Sequence, residues 1–247
     1  MNWSEWVADG LSKGCTKKQL WDVMYGRIGK EAWKYMDYRP RAVNAMARVG
    51  DVSLVDGVLS DVECDVLIGL AYKKGFKRNT VVNKEGGDRI DEARTSEGMS
   101  FYKAENRFIW EIEMRLSKIT GWPPENGEHL QVLRYEVGEE YKPHVDWFGD
   151  TPGCMGYKAM GGQRYGTVVV YLQCADEGGG TSFPLLGVTM NPKRGGAVCF
   201  ANVDKTGTPM ETARHSGDPV IRGEKIVMTL WQRESVFARG NRDQGGG

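Results

Sequence analysis

Histidine is scarce in this chain, with three in 247 residues, so each one carries weight. Cysteine is nearly as sparse. The five cysteines (Cys15, Cys64, Cys154, Cys174 and Cys199) are odd in number, scattered, and form no C-x-x-C pair. That pattern argues against a disulfide framework and for reduced thiols in a cytoplasmic protein. Net charge is missing too. Lys+Arg and Asp+Glu stand at 33 each, so no global field draws the chain to nucleic acid or to an anionic membrane. No apolar run approaches the ~18 residues of a transmembrane helix. The first residues, Met-Asn-Trp-Ser-Glu-Trp, have neither a basic nor an apolar stretch of the secretory kind, so no signal peptide is expected. No internal repeat is visible.

Residues 1–50 read as short helices rich in aromatics: Thr16 caps one carrying Leu20, Val23 and Met24, and Trp33 and Met36 mark another over 31–38. Composition does not decide between an extension packed on the main domain and a partner-binding module. From Asp51 the pattern changes. A strand over 52–56 precedes a capping box, Ser60-Asp-Val-Glu63, which opens a helix carrying Val62, Val66, Leu67 and Leu70 and ending at Gly75. Residues 77–98 read as a long polar loop. A second helix is expected from about Lys103 to Thr120, with Phe108, Ile109, Ile112, Leu116 and Ile119 on its face. Strands then dominate, over 129–135, 167–172, 196–200 and 225–231, with Gly- and Pro-rich turns between them. The expected fold is mainly β: a double-stranded β-helix (jelly-roll) core over 51–235, buttressed by helices, with an N-terminal helical extension and a disordered tail over 236–247.

Two of the three histidines form an H-x-D … H pattern with one carboxylate: His144, Asp146 and, far downstream, His215. Residues two apart on a strand share a face, so His144 and Asp146 can converge on one ion. A later strand bearing His215 completes a two-histidine, one-carboxylate triad with open positions, a set suited to non-haem Fe(II). H-x-D alone recurs by chance, and its surroundings have to carry the reading. On the last strand Lys225, Val227, Thr229 and Trp231 share a face. An inward lysine is costly without an anion, and a dicarboxylate chelating iron at one end would offer Lys225 its other end, with Thr229 assisting. The alternative is an ordinary solvated lysine. Thr167 and Tyr171 share a face of their strand, and Tyr135 adds a third hydroxyl upstream of His144.

The segment Glu128-His-Leu-Gln-Val-Leu-Arg-Tyr-Glu-Val-Gly-Glu-Glu-Tyr-Lys-Pro-His-Val-Asp146 resembles the iron-binding stretch of the prolyl 4-hydroxylases. Four more stretches recur in that family's order: Arg94–Gly98, Gln163–Leu172, Gly178–Pro184 and His215–Lys225. The resemblance spans residues 52–233. It implies a dioxygenase using Fe(II), 2-oxoglutarate and O2, with ascorbate as an accessory ligand, and a proline-containing peptide or protein as substrate. By it, His144, Asp146 and His215 bind iron. Lys225, Tyr135, Thr167, Tyr171 and Thr229 serve 2-oxoglutarate, and Arg164, Tyr141 and Trp231 line the substrate side. Arg94–Gly98 matches the start of a segment that closes over the substrate. The carboxylate of Asp146 favours hydroxylation over halogenation. His129 matches no ligand and reads as the first residue of a strand. The stretch from Phe148 to Gly162 departs from the pattern and leaves the substrate open between peptidyl proline, lysyl residues and free amino acids. Balanced charge, and the lack of paired arginines after the distal histidine, count against a nucleic-acid demethylase. A complete triad plus lysine counts against a non-catalytic binding module.

Overall fold

The last long strand sets the plan. From Lys225 to Leu230, Ile226, Met228 and Leu230 turn to one side of the sheet while Lys225, Val227 and Thr229 turn to the other, the alternation that a two-residue period imposes. The computed structural model describes Leu20 and residues 44–79, 81–82, 88–89 and 93–238. Among these residues the large sheet has eight strands. Its order is β1 (Asn44–Val49), β2 (Val52–Asp56), β13 (Ala197–Ala201), β9 (Arg164–Gln173), β16 (Lys225–Arg233), β7 (Leu130–Tyr135), β6 (Glu97–Phe101) and β3 (Lys77–Arg78). A smaller sheet runs β12 (Val188–Met190), β11 (Thr181–Phe183), β14 (His215–Gly217) and β8 (Tyr141–His144). Two ribbons, β10 (Glu177–Gly178) with β15 (Val220–Arg222) and β4 (Val81–Val82) with β5 (Asp88–Arg89), complete the strands. All pairings are antiparallel. The fold is a jelly roll with supporting helices.

Two cores lie on opposite faces of the large sheet. On the outer face, Val168, Val170 and Leu172 of β9 and Ile226, Met228 and Leu230 of β16 pack against helices α1 (Asp61–Lys74) and α2 (Arg107–Thr120). On the inner face, Leu133, Val169, Val198 and Val227 meet Phe183 and Met190 of the small sheet. The helices are held at their ends. Ser60 and Glu63 form the expected reciprocal cap of α1, and both oxygens of Glu63 also accept from the guanidinium of Arg115 on α2, at 2.8 Å each. Asn106 caps α2 through the Ile109 N–H at 3.0 Å, and Gly121, at φ 72°, ends it in a left-handed turn.

Several expectations are corrected. Residues 44–49 form edge strand β1, not helix, because Gly50 at φ 57° turns the chain straight into β2 as a hairpin. The rest of the expected N-terminal helices lies outside the described residues, except Leu20, which is helical and buried. Residues 77–98 carry short strands as well as loop, and Glu97 and Gly98 belong to β6, pairing with Arg134 and Leu133. Helix α2 starts at Arg107, since Asn106 takes the cap. The buried face of α1 is Glu63, Cys64, Leu67 and Ala71: Leu67 is buried as expected, Val66 and Leu70 pack half-buried against the same core, and the arginine-bound Glu63 also turns inward. A third helix, α3 (Pro152–Lys158), capped by Thr151, sits inside the segment after Asp146 and was not foreseen. The tail beyond Ala238 lies outside the described residues. No helix among the described residues is long and apolar enough to cross a membrane.

Ile112 is fully buried between α2 and the sheet. Ile112→Ala is expected to cost about 2–5 kcal/mol, read from the urea midpoint, through lost burial and the cavity left behind.

Candidate active site

The two distant histidines meet because β8 and β14 are neighbours in the small sheet, with His144 directly opposite His215. Their rings lie 4.3 Å apart. Asp146 follows just after β8, and its two oxygens face one imidazole each: Oδ1 lies 3.7 Å from His144 Nε2, and Oδ2 lies 3.7 Å from His215 Nε2. The three ligand atoms fall within 4.8 Å of one another. Each Nδ1 sits against a carbonyl, Lys142 O at 2.8 Å for His144 and Ala213 O at 2.9 Å for His215. A carbonyl only accepts, so each Nδ1 carries a proton and each ring turns its Nε2 toward the cluster.

Electrostatics agree with a metal-ready set. Burial and the neighbouring His215 hold His144 well below the usual imidazole range, so it is neutral. Burial works against the charge of Asp146, but His215, His144, the Arg164 guanidinium and the Thr167 hydroxyl outweigh it and keep the carboxyl low, hence ionised. Two imidazole nitrogens and one carboxylate oxygen, converging at one end of the cleft, fit Fe(II).

The cleft beside the cluster has a lysine at its base. Lys225 is 2% exposed, and among the described residues its ammonium makes one hydrogen bond, to Gly180 O at 3.4 Å. The rings of Tyr135 and Tyr171 stand 5.1 and 5.2 Å from Nζ. Burial lowers its pKa to about 8, against the opposing pull of Asp218 and Cys174. A buried ammonium with so little to bind is a receptor for an anion.

The expected residues are distributed as follows. Register places Lys225 opposite Tyr135, Val227 opposite Tyr171, and Trp231 opposite Thr167, so the inward residues of β7, β9 and β16 line one cleft. Thr229 lines it too, and is 4% exposed. Tyr171 does not aim its hydroxyl at Lys225; it bonds Thr181 Oγ1 at 2.7 Å and Gly179 O at 3.2 Å. Thr167 donates to Asp146 Oδ2 at 2.7 Å and thus faces the metal side of the cleft. The Tyr141 ring stacks on His144 with centroids 3.5 Å apart, and the Arg94 guanidinium lies 5.0 Å from the Tyr141 ring centre. Trp231 borders the cleft, while Arg164 stands behind it, 3.9 Å from its ring and bound to both oxygens of Glu128 at 2.6 and 2.9 Å. His129 makes edge contacts with Tyr102 and Phe237 and takes no part in the cluster.

Sequence reasoning passed over Arg94, Thr181 and Ser216 as individual cleft residues, and it passed over Asn202 behind Thr167. Thr181 and Ser216 stand inside motifs already quoted, on strands of three residues that show no periodicity. Asn202 follows β13 with no local pattern around it.

A jelly roll that buries two histidines, a carboxylate and a lone lysine around one cleft is built as a 2-oxoglutarate-dependent Fe(II) dioxygenase. Residues 130–233 match the 2OG-Fe(II) oxygenase superfamily. Prolyl 4-hydroxylase 2 of Arabidopsis thaliana is 35% identical over 220 residues, covering 80% of this chain and 72% of that protein. Probable prolyl 4-hydroxylase 7 of the same plant is 32% identical over 228 residues, covering 85% and 71%. The 2OG complex of the viral collagen prolyl hydroxylase from Paramecium Bursaria Chlorella virus-1 superposes with a TM-score of 0.60 at 32% identity, covering 74% of this chain and 96% of that one. The chain belongs to the prolyl 4-hydroxylase family of the 2OG-Fe(II) oxygenases. Its cofactor set is Fe(II), 2-oxoglutarate and O2.

The buried lysine makes a testable statement about stability. Its folded pKa of about 8 lies below the ordinary 10.5, so the folded form loses its proton more readily than the unfolded chain. The penalty is fully present below the folded value and is relieved as pH rises from there toward 10.5. Without 2-oxoglutarate, the protein is therefore expected to gain stability over that window. Lys225→Met should be more stable than wild type at neutral pH and should lack the gain, as read from urea midpoints across the pH range.

Proposed function

We propose that this chain hydroxylates prolyl residues in an extended peptide, giving 4-hydroxyproline, succinate and CO2. In this reading His144, Asp146 and His215 hold the iron and Lys225 takes the distal carboxylate of 2-oxoglutarate. The observation that carries it is the buried Lys225 ammonium at the base of the cleft that the cluster borders. A five-carbon diacid that chelates a metal at one end needs a cation set back from that metal.

Fe(II) with 2-oxoglutarate and O2 supplies the oxidising chemistry that places one oxygen atom on an unactivated carbon. The chain's own residues do the rest. The two Nε2 lone pairs and the Asp146 carboxylate present the donors. Lys225 neutralises the diacid, with Tyr135 and Thr229 walling the space beside it. Tyr141 and Trp231 offer flat surfaces for a proline ring, and an extended proline-rich backbone suits an open cleft because its carbonyls are unpaired. Arg164, fixed by Glu128, stiffens the Trp231 wall. The names of the plant and viral relatives support a prolyl substrate. Ascorbate as an accessory ligand and a cytoplasmic setting belong to the same reading; the latter is supported by the free thiols of Cys64, Cys154, Cys174 and Cys199.

Incubation with Fe(II), 2-oxoglutarate and a panel of proline-containing peptides should add one oxygen to proline, seen by mass spectrometry, with succinate formed in step. Oxygen found only on lysine, or only on free amino acids, would move the substrate and leave the iron chemistry standing. Alanine at His144, Asp146 or His215 should abolish both products while the far-ultraviolet spectrum stays native.

Lys225→Ala should raise the 2-oxoglutarate requirement by the equivalent of about 2–5 kcal/mol, because a buried carboxylate loses its charged partner. For wild type the same requirement should climb as pH rises past about 8, where the ammonium is lost. A flat 2-oxoglutarate titration across that range would count against this role for Lys225.

A further inference from the structure

Behind the metal cluster a chain of three side chains runs into the protein. Asn202, fully buried at the end of β13, places Nδ2 2.9 Å from Thr167 Oγ1, and Thr167 Oγ1 stands 2.7 Å from Asp146 Oδ2. The direction of the protons follows from chemistry. An ionised carboxylate only accepts, so at 2.7 Å the single Thr167 hydrogen points to Asp146. The hydroxyl oxygen can then only accept from Asn202, which requires the amide NH2 to face it. That orientation leaves Asn202 Oδ1 buried with no hydrogen-bond partner among the described residues. A rotated amide would turn its oxygen toward Thr167 and compete with Asp146 for the one hydroxyl proton. The fold accepts an orphaned acceptor in order to keep the donors aimed one way.

We propose that Asn202 and Thr167 are positioning residues for the metal, a one-way donor relay that fixes the carboxylate of Asp146 in the plane the ion needs. The neighbours in register argue for this over the 2-oxoglutarate role that the family resemblance implies for Thr167. Thr167 pairs with Trp231, six residues along β16 from Lys225, so it lies toward the far end of that strand from the lysine. It also pairs with Phe200 of β13, whose ring lies 4.6 Å from that of His215. The residues around Thr167 therefore belong to the metal end of the cleft. Asp146 carries the only formal charge among the proposed ligands, so its orientation governs how strongly the cluster holds a cation. Partners of this kind typically change metal affinity by about ten- to a hundredfold.

The inference rests on Asp146 as a metal ligand, and the experiment separates the two. Co(II) alone, without 2-oxoglutarate, is titrated calorimetrically into wild type, Asp146→Ala, Thr167→Val, Thr167→Ser and Asn202→Leu, each checked for native circular dichroism. Thr167→Val and Asn202→Leu are expected to weaken Co(II) binding about tenfold or more, and Thr167→Ser to restore it. If Asp146→Ala weakens binding but Thr167→Val and Asn202→Leu bind as wild type, the relay is overturned while the ligand set stands. If Asp146→Ala itself binds as wild type, the ligand set fails, and the relay fails with it. A Thr167→Val variant with normal Co(II) binding and a raised 2-oxoglutarate requirement returns Thr167 to the co-substrate. Should Asn202→Leu not fold, Thr167→Val, which exchanges a hydroxyl for a methyl of similar size, decides the matter together with the serine rescue.

Discussion

The two-residue alternation of β7, β9 and β16 is the constraint on which the structure depends. It makes one sheet serve two incompatible environments. The outer face is apolar over its centre, and α1 and α2 cover it. The inner face carries a lysine, two threonines and two tyrosines among its valines and leucines. A slip of one residue in β16 would drive Lys225 into the helix-side core and pull Ile226 into the cleft, so the hydrophobic face holds the polar face in register. Stability comes chiefly from the side of the sheet that does no chemistry.

On the inner face the polar groups are arranged by what each can exchange. The histidines turn their Nδ1 protons to carbonyls and keep Nε2 free. Thr167 and Asn202 satisfy one oxygen of Asp146 from behind. Lys225 is the exception, holding a charge with almost nothing to meet it. Groups around the metal position are braced in advance, and the group at the base of the cleft waits for its partner. Such an arrangement puts the cost of burying a cation on the protein, a cost that an anion beside it would offset.

Much of this was legible in the sequence, for identifiable reasons. H-x-D, a remote histidine and an inward lysine are chemical oddities that stand out in the sequence, although Asp146 lies just past the end of β8 rather than on it. The long strands and α2 were readable because apolar residues recur at fixed intervals over ten or more positions. What was not legible lacks such intervals. β1 was hidden by helix-forming residues and revealed only by its hairpin with β2. On α1 the burial of Glu63 was not readable, because only a bidentate arginine from the other helix holds that charged residue inside. Asn202 and Thr181 reach the cleft from short or terminal positions, where only tertiary contact decides what a side chain meets.

Arg233 ends β16 at 1% exposure, shares Glu128 with Arg164, and donates to the backbone carbonyl of Tyr157 in α3. The segment between Asp146 and β9 is therefore fastened to the barrel through a main-chain atom, whatever side chains it displays. Exposed positions on that segment, such as Met155, are free to vary without loosening the clamp. Length is not free in the same way, since an insertion ahead of Tyr157 would carry the carbonyl away from a buried cation. Descendants of such a chain could change the character of the cleft's outer wall by substitution far more easily than by insertion.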